Sequence, residues 1–210
     1  MRRKNANLIL LLLVLFIGLT CLPHRPAFPQ EEKKAGPYIP LDKQTSLSLY
    51  VNAVEAYAMW QKDPANIKIL DVRLPEEYIF IGHAPMAYNI PVKFMTYKWN
   101  PNKNDYIMED NPDFLAEVQN RFKVTDTILI MCRLGTRSSL AVNKLAQAGF
   151  KNVYNIVDGF EGDAVKDPDS YFDGKRLKNG WKNSGAPWTY ILDPKLVYLP
   201  KQVKSPSGPP

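Results

Sequence analysis

Short apolar runs alternate with amphipathic stretches through the middle of the chain, and this pattern predicts an α/β fold. Runs rich in branched residues predict buried strands at 67–72, 127–131 and 153–157. Apolar residues at helical spacing predict helices at 53–62 and 138–148. Strands that alternate with helices in this way favour a parallel sheet flanked by helices on both faces.

Local signals add detail between these elements. Asn52 and Glu55 have the spacing of a capping box at the start of the first helix. The polar stretch 97–111 shows no hydrophobic period, and we predict an excursion loop there. The next helix is predicted to carry Pro112 in its first turn and Asn111 as its cap. Its apolar face would consist of Phe114, Leu115, Val118 and Phe122.

The first residues predict export. A basic start, Arg2-Arg3-Lys4, precedes an unbroken apolar run at 8–17, which is the order of a secretory signal peptide. The run is shorter than the roughly 18 residues that usually span a bilayer, although an uncleaved anchor and lipidation of Cys21 are the alternatives. We therefore expect a periplasmic protein, or one tethered by its N-terminus to the outer face of the inner membrane.

The rest of the chain divides by composition. Proline and charged residues follow the signal, and the hydrophobic period fades again beyond Gly162. The predicted organisation is a signal peptide or anchor at 1–21, a Pro-rich flexible tether at 22–45, one α/β domain at 46–190 with insertions at about 97–111 and 163–180, and an irregular C-terminal extension that ends in a tail at 191–210.

Charge and cysteine content limit the chemistry. The net charge of +6 becomes about +3 when the three positive charges of the signal are subtracted, and no basic cluster predicts a nucleic-acid partner. No group of His, Cys and Asp has metal-ligand spacing, so we predict neither metal nor cofactor. Of the two cysteines, Cys21 borders the signal. Cys132 is then a lone thiol in an exported domain, which indicates either a reactive group or a buried cysteine that packs as a small hydrophobe.

The surroundings of Cys132 favour the reactive interpretation. Cys132 follows a predicted strand, and a helix is predicted to begin at about Ser138. Ligands of parallel α/β sheets bind outside the carboxyl ends of the strands, and a loop that closes onto a helix N-terminus there offers backbone N–H groups to an anion. This positive potential favours a thiolate. The candidate site comprises Cys132 as nucleophile and Arg133, Leu134, Gly135, Thr136, Arg137 and Ser138 as the anion-binding loop.

This loop resembles the active-site loop of single-domain rhodaneses, written C-R-x-G-x-R-S. Other motifs of that family have similar counterparts in the same order between residues 46 and 187. They are Asp71-Val72-Arg73 with Pro75-Glu76-Glu77-Tyr78, Gly82-His83-Ala84-Pro85, Gly159-Phe160-Glu161-Gly162, and Trp181 with Gly185 and Pro187.

The resemblance implies a sulfurtransferase that takes sulfur from a small anionic donor such as thiosulfate onto Cys132 and passes it to a thiol or cyanide. It implies that Arg133 orients the anion, that Arg137 lies closer to the loop backbone and pairs with a carboxylate, and that Asp71 and Arg73 either shape the site or form a structural ion pair. His83 is expected to be a turn residue.

Two alternatives stay open. One is a sulfur carrier or protein-interaction module that docks on a partner protein without turnover. The other, less favoured, is a phosphatase or arsenate reductase, because dual-specificity phosphatases use a loop one residue longer than the six residues from Cys132 to Arg137.

Overall fold

The computed structural model describes residues 38–200, so the predicted signal at 1–21 and most of the predicted tether lie outside the described residues. Seven strands and four helices follow one another along the chain. They are β1 (Tyr50–Val51), α1 (Ala53–Lys62), β2 (Ile67–Asp71), α2 (Pro75–Phe80), β3 (Ala87–Asn89), β4 (Lys93–Asn100), β5 (Asp105–Asp110), α3 (Phe114–Arg121), β6 (Thr127–Met131), α4 (Thr136–Gln147) and β7 (Val153–Ile156). Two 3-10 turns, Leu41–Lys43 and Trp181–Asn183, flank them.

Five strands form one parallel sheet in the order β1-β7-β6-β2-β3. The strand β6 lies at the centre, where Asp71 of β2 is in register with Met131 of β6. The carboxyl ends of these two strands therefore lie side by side, and each is followed at once by predicted site residues. The predicted parallel α/β sheet is confirmed.

Helices cover both faces of this sheet, as predicted. Successive strand residues point to opposite faces. On one face, Leu70 and Ile128 pack with residues of α3 and α4, including Val118 and Leu145. On the other face, the apolar core consists of Ile69, Leu129, Met131 and Ile156 with Ala53 and Ala56 of α1 and Trp181 of the C-terminal extension.

The ends of two helices test the local predictions. The capping box of α1 is confirmed, since the Asn52 side chain accepts a hydrogen bond from the Glu55 N–H and the Glu55 carboxylate accepts one from the Asn52 N–H. The helix α3 begins later than predicted, with Asp113 as its N-cap. Asn111 instead accepts a hydrogen bond from the Asp113 N–H at 2.9 Å, which forms a turn before the helix. On the predicted apolar face, Leu115 is partly exposed while the other three residues are buried.

The prediction of an excursion loop at 97–111 is wrong. Residues of this stretch form an antiparallel hairpin of β4 and β5, which pair with each other and not with the main sheet. Cross-strand contacts stabilise it, including the Lys93–Asp110 ion pair at 2.5 Å and an edge-on contact of the Trp99 and Tyr106 rings. Most of these side chains are exposed, so the hairpin has no buried face that would leave a hydrophobic signature in the sequence.

Residues beyond the predicted domain limits of 46 and 190 also contact the α/β core. Asp42 already packs on α4, because its carboxylate accepts a hydrogen bond from Thr136 Oγ1 at 3.0 Å. At the other end, the carbonyl of Leu196 accepts a hydrogen bond from the Asn89 N–H at 2.8 Å, and Val197 is buried. This segment covers the outer edge of β3, which would otherwise expose unpaired backbone groups.

The predicted insertion at 163–180 is irregular, with a single isolated bridge between Ala164 and Arg176. Across residues 38–200, no helix combines the length and the apolar character needed to cross a membrane.

Candidate active site

Cys132 lies at the junction of β6 and α4 and is only 1% exposed. The Gly135 N–H donates a hydrogen bond to Cys132 Sγ at 3.2 Å, and the Ser138 hydroxyl lies 3.4 Å from the same sulfur. Gly135 is the N-cap of α4 and has a φ of 102°, so the chain turns sharply just before the helix. The sulfur is thus in contact with polar groups of the loop, although it also borders the apolar core.

The carbonyl groups of the loop are bound on one side by the turn after β7. The Phe160 N–H donates to the Cys132 carbonyl at 2.7 Å, and the Glu161 N–H donates to the Arg133 carbonyl at 3.0 Å. In a planar trans peptide, the N–H points opposite to the C=O. The N–H groups of Arg133 and Leu134 therefore point away from this turn.

Five backbone N–H groups of the loop and the first turn of α4 have no hydrogen-bond acceptor among residues 38–200. They belong to Arg133, Leu134, Thr136, Arg137 and Ser138, whereas the N–H of Gly135 is directed at Cys132 Sγ. The first amides of a helix lack intrahelical acceptors, and together with the helix dipole they attract an anion. The loop can therefore supply several hydrogen-bond donors to a negative group beside Cys132.

The turn after β7 approaches the loop so closely that only glycine fits at residue 159. Gly159 has a φ of +62°, and a Cβ atom there would lie 2.5 Å from the carbonyl oxygen of Cys132. The C-terminal extension holds this turn in place, because the backbone N–H of Trp181 donates to the Gly159 carbonyl at 2.8 Å. Trp181 is itself fully buried.

Both loop arginines are paired with carboxylates. Arg133 Nε lies 3.4 Å from Glu161 Oε1, and the Arg133 side chain is 49% exposed. The guanidinium of Arg137 donates two hydrogen bonds of 2.6 Å to the Glu77 carboxylate, which connects the loop to α2. The structure therefore places Arg133 at the rim of the site and Arg137 in a largely buried ion pair.

The Arg137–Glu77 pair stays charged. Burial alone would raise the pKa of Glu77, but the hydrogen bonds and the charge of Arg137 outweigh burial and hold that pKa below the ordinary glutamate value. Burial would likewise lower the pKa of Arg137, and the hydrogen bonds and charge of Glu77 more than compensate, so that the pKa of Arg137 is raised. The carboxylate thus neutralises much of the positive charge that Arg137 would otherwise present to an anion.

Asp71 and Arg73 form a fully buried ion pair beneath the loop. Arg73 Nη2 lies 2.6 Å from Asp71 Oδ2 and also donates to the Gly82 carbonyl at 2.8 Å. The guanidinium carbon lies 4.0 Å from the centre of the Phe160 ring. Of the two roles that the resemblance left open, the structure shows the ion pair, and neither side chain is exposed to a substrate.

His83 is buried in the turn after α2. Its ring stacks on Tyr78, and its two nitrogens lie 3.0 Å from the Tyr78 carbonyl oxygen and 3.2 Å from that of Ile191. It therefore holds the C-terminal extension rather than contacting Cys132.

A cavity of about 330 Å³ lies beside the loop, between Arg137 and the β4–β5 hairpin. Lys93, Lys103, Tyr106 and Met108 are among its lining residues. Within residues 38–200, no group of three or more His, Cys, Asp and Glu side chains could hold a metal ion.

Three residues of the site escaped the sequence interpretation. Glu77 and Glu161 carry the partner carboxylates of the two arginines, and their pairing is not visible from their positions along the chain. Asn155 is buried in β7 and contacts the loop. A lone amide inside an otherwise apolar strand was the signal that could have revealed it.

The family model of the rhodanese-like domain matches residues 52–164, more than half of the chain. The chain belongs to the rhodanese-like domain family. An uncharacterized protein of Rickettsia prowazekii, RP600, is 34% identical over 125 residues, which cover 60% of this chain and 85% of that protein.

Two further members extend the comparison. Thiosulfate sulfurtransferase 16 of Arabidopsis thaliana is 40% identical over 96 residues, covering 46% of this chain and 72% of that enzyme. The crystal structure of Rv0390 from M. tuberculosis matches with a TM-score of 0.51 and 26% identity over 67% of this chain and 96% of that one. This rhodanese-like chain thus shares its domain with at least one enzyme named for sulfur transfer.

Proposed function

We propose that this protein is a sulfurtransferase that moves sulfane sulfur from thiosulfate or a similar anionic donor to a thiol or cyanide through a persulfide on Cys132. The observation that carries this proposal is the set of backbone N–H groups in the Cys132 loop and the first turn of α4 that have no acceptor among residues 38–200, together with the Gly135 N–H that donates to the Cys132 sulfur. The likeness to an enzyme named thiosulfate sulfurtransferase supports it.

The transfer consists of two nucleophilic steps. The Cys132 thiolate attacks the outer sulfur of thiosulfate, a new S–S bond forms, and the old S–S bond breaks so that sulfite leaves with the electron pair. The negative charge on the resulting persulfide would be stabilised by the loop amides. Cyanide or a thiolate then attacks the outer sulfur, which regenerates the Cys132 thiolate and releases thiocyanate or a persulfide.

The two arginines take different roles in this proposal. The Arg133–Glu161 contact is long and its arginine is half-exposed, and such pairs contribute at most about 1 kcal/mol, so an incoming anion can replace Glu161. Arg137 remains bound to Glu77 and anchors the loop to α2. Arg133 would therefore attract the donor, while Arg137 keeps the loop in shape.

Export to the periplasm is part of the proposal and rests on the sequence of residues 1–21 alone.

The decisive experiment measures thiocyanate formation from thiosulfate and cyanide in the wild-type protein, in Cys132→Ser and in Met131→Leu. Met131 is the buried neighbour on the opposite face of β6, and its replacement conserves volume. We expect activity in the wild type and in Met131→Leu, and none in a folded Cys132→Ser variant. Mass spectrometry of the thiosulfate-treated protein should show one added sulfur atom on Cys132.

The other outcomes identify the alternatives. A persulfide without thiocyanate release would indicate a carrier or interaction module. If no sulfane donor produces a persulfide on Cys132, the proposed chemistry is wrong. Turnover in Cys132→Ser would remove the proposed nucleophile.

A further inference from the structure

The polar atoms of the Asn155 side chain connect the Cys132 loop to the 3-10 turn Leu41–Lys43. Its Nδ2 donates to the Gly135 carbonyl at 3.1 Å and to the Lys43 carbonyl at 3.0 Å. Two carbonyl oxygens can only accept, which fixes the orientation of the amide. Its Oδ1 therefore faces the Ser138 hydroxyl, which donates to it at 2.6 Å. Asn155 is fully buried, so these contacts have no water to compete with them.

The bond to the Gly135 carbonyl sets the direction of the next amide. The Ser139 N–H donates to the same oxygen at 3.2 Å, so two donors from the protein interior hold it. Because the C=O of Gly135 and the N–H of Thr136 belong to one peptide plane, they point in opposite directions. The Thr136 N–H is thereby turned away from Asn155 and keeps no acceptor among the described residues.

The carbonyls of Cys132 and Arg133 are held by the backbone N–H groups of Phe160 and Glu161, which any residue type would supply. Asn155 differs because it is the one described side chain whose amide holds a carbonyl of this loop. It also contacts Ser138, whose hydroxyl lies next to the sulfur. Its replacement would therefore release the Gly135–Thr136 peptide and the Ser138 hydroxyl together.

We propose that Asn155 is a positioning residue that gives the Cys132 loop its preference for anions, by holding the Gly135–Thr136 peptide so that the Thr136 N–H keeps its direction. Asn155 does not touch the substrate and acts through this peptide. This inference rests on the proposed function in taking the loop as the site that binds the anionic sulfur donor.

The test compares two alkylating reagents that share a leaving group, the anion iodoacetate and the neutral iodoacetamide. Their reaction rates with Cys132 are followed by mass spectrometry on the peptide that contains it. In Asn155→Ala, we expect the rate ratio of iodoacetate to iodoacetamide to fall about tenfold, the factor for losing one hydrogen bond to an anion. The KM for thiosulfate should rise by a similar factor.

Asn152→Ala is the matched control, because Asn152 precedes β7 and is exposed, and the one hydrogen bond given for its side chain among the described residues is a long one of 3.5 Å to the Thr125 carbonyl. Its rate ratio should equal that of the wild type. In Ser138→Ala the ratio should fall as well, and adding Asn155→Ala should cost less than it does alone, since the two residues act partly through one hydrogen bond.

An unchanged ratio in folded Asn155→Ala overturns the proposal, and so does an equal fall in Asn152→Ala. If Asn155→Ala does not fold, Asn155→Ser takes its place, and a wild-type ratio there is equally decisive. A wild-type protein that forms no persulfide would refute the proposed sulfur transfer but leave this ratio measurable, so the two failures are distinguishable.

Discussion

The close approach of the turn after β7 to the Cys132 loop can be tested by adding one methyl group. In Gly159→Ala, the new Cβ would lie 2.5 Å from the Cys132 carbonyl oxygen and 2.7 Å from the Leu134 nitrogen. An ordinary contact begins at 3.4 Å, so the loop or the turn must move by nearly 1 Å. Both are backbone, and neither can give way by a simple side-chain rotation.

Two costs add in this variant. A left-handed conformation costs a residue with a Cβ about 1–2 kcal/mol. Forcing extra volume into a packed site costs about 1–3 kcal/mol more. We therefore expect Gly159→Ala to lower the free energy of unfolding by about 2–5 kcal/mol. A shift of about 1 Å in a reacting group also predicts a loss of roughly 100-fold in the rate of persulfide formation.

Gly149→Ala is the matched control. Gly149 also has a positive φ, +94°, but a Cβ there would meet no atom within 4 Å. In this variant the free energy of unfolding should fall only by the backbone cost of about 1–2 kcal/mol, and the rate of persulfide formation should not change. Urea unfolding and stopped-flow measurement of the first transfer step give both quantities. If the two variants lose equal stability and react equally fast, the contact between turn and loop does not position Cys132.

Two further predictions concern the supports of the site. Glu77→Gln leaves the largely buried Arg137 without its carboxylate, and we expect a loss of about 2 kcal/mol at pH 7 in urea unfolding. Because the pKa of Glu77 is lower in the folded state, its contribution is complete above the unfolded value and is lost as the pH falls. The difference between wild type and Glu77→Gln should therefore shrink at pH 3, and a constant difference would contradict the assignment. Trp181→Ala empties a fully buried site and should cost about 3–5 kcal/mol in thermal or urea unfolding. Trp188→Ala, at a side chain 37% exposed, should cost clearly less, and equal losses would show that Trp181 does not anchor the extension.

The core of the fold was predictable because its signals are local. The strands β2, β6 and β7 are short apolar runs, and α1 and α4 repeat apolar residues at helical spacing. The start of α1 was also predictable, from the Asn52–Glu55 capping box. Each of these segments buries at least one face, and the buried face appears in the sequence as a hydrophobic pattern.

The elements that were not predicted lack such a hydrophobic pattern. The β4–β5 hairpin leaves most of its side chains exposed, including Tyr97 and Trp99. Its strands therefore show no hydrophobic period that would distinguish them from a loop in the sequence. The strand β3 is only three residues long. The tail after residue 190 is held mainly through backbone groups such as the Leu196 carbonyl, which any residue type could supply.

The site divides in the same way. The position of Cys132 between a strand and a helix follows from local patterns. The partners of its loop do not, because Glu77 lies 60 residues from Arg137 and becomes its neighbour only through the order of the strands. Sequence therefore located Cys132 and its loop, while the charge balance around them required the structure.

Segments on both sides of the matched domain support the Cys132 loop, directly through Asp42 and through the turn after β7 for Trp181, and this has a practical consequence for anyone who shortens the protein. The match to the rhodanese-like domain runs from 52 to 164. Trimming to those limits would cut away β1, Asp42 and Lys43 on one side and Trp181 on the other. Such a fragment would retain every residue of the Cys132 loop and lose the contacts from outside these limits that support the loop. Weak turnover by it would measure the missing ends rather than the chemistry of Cys132.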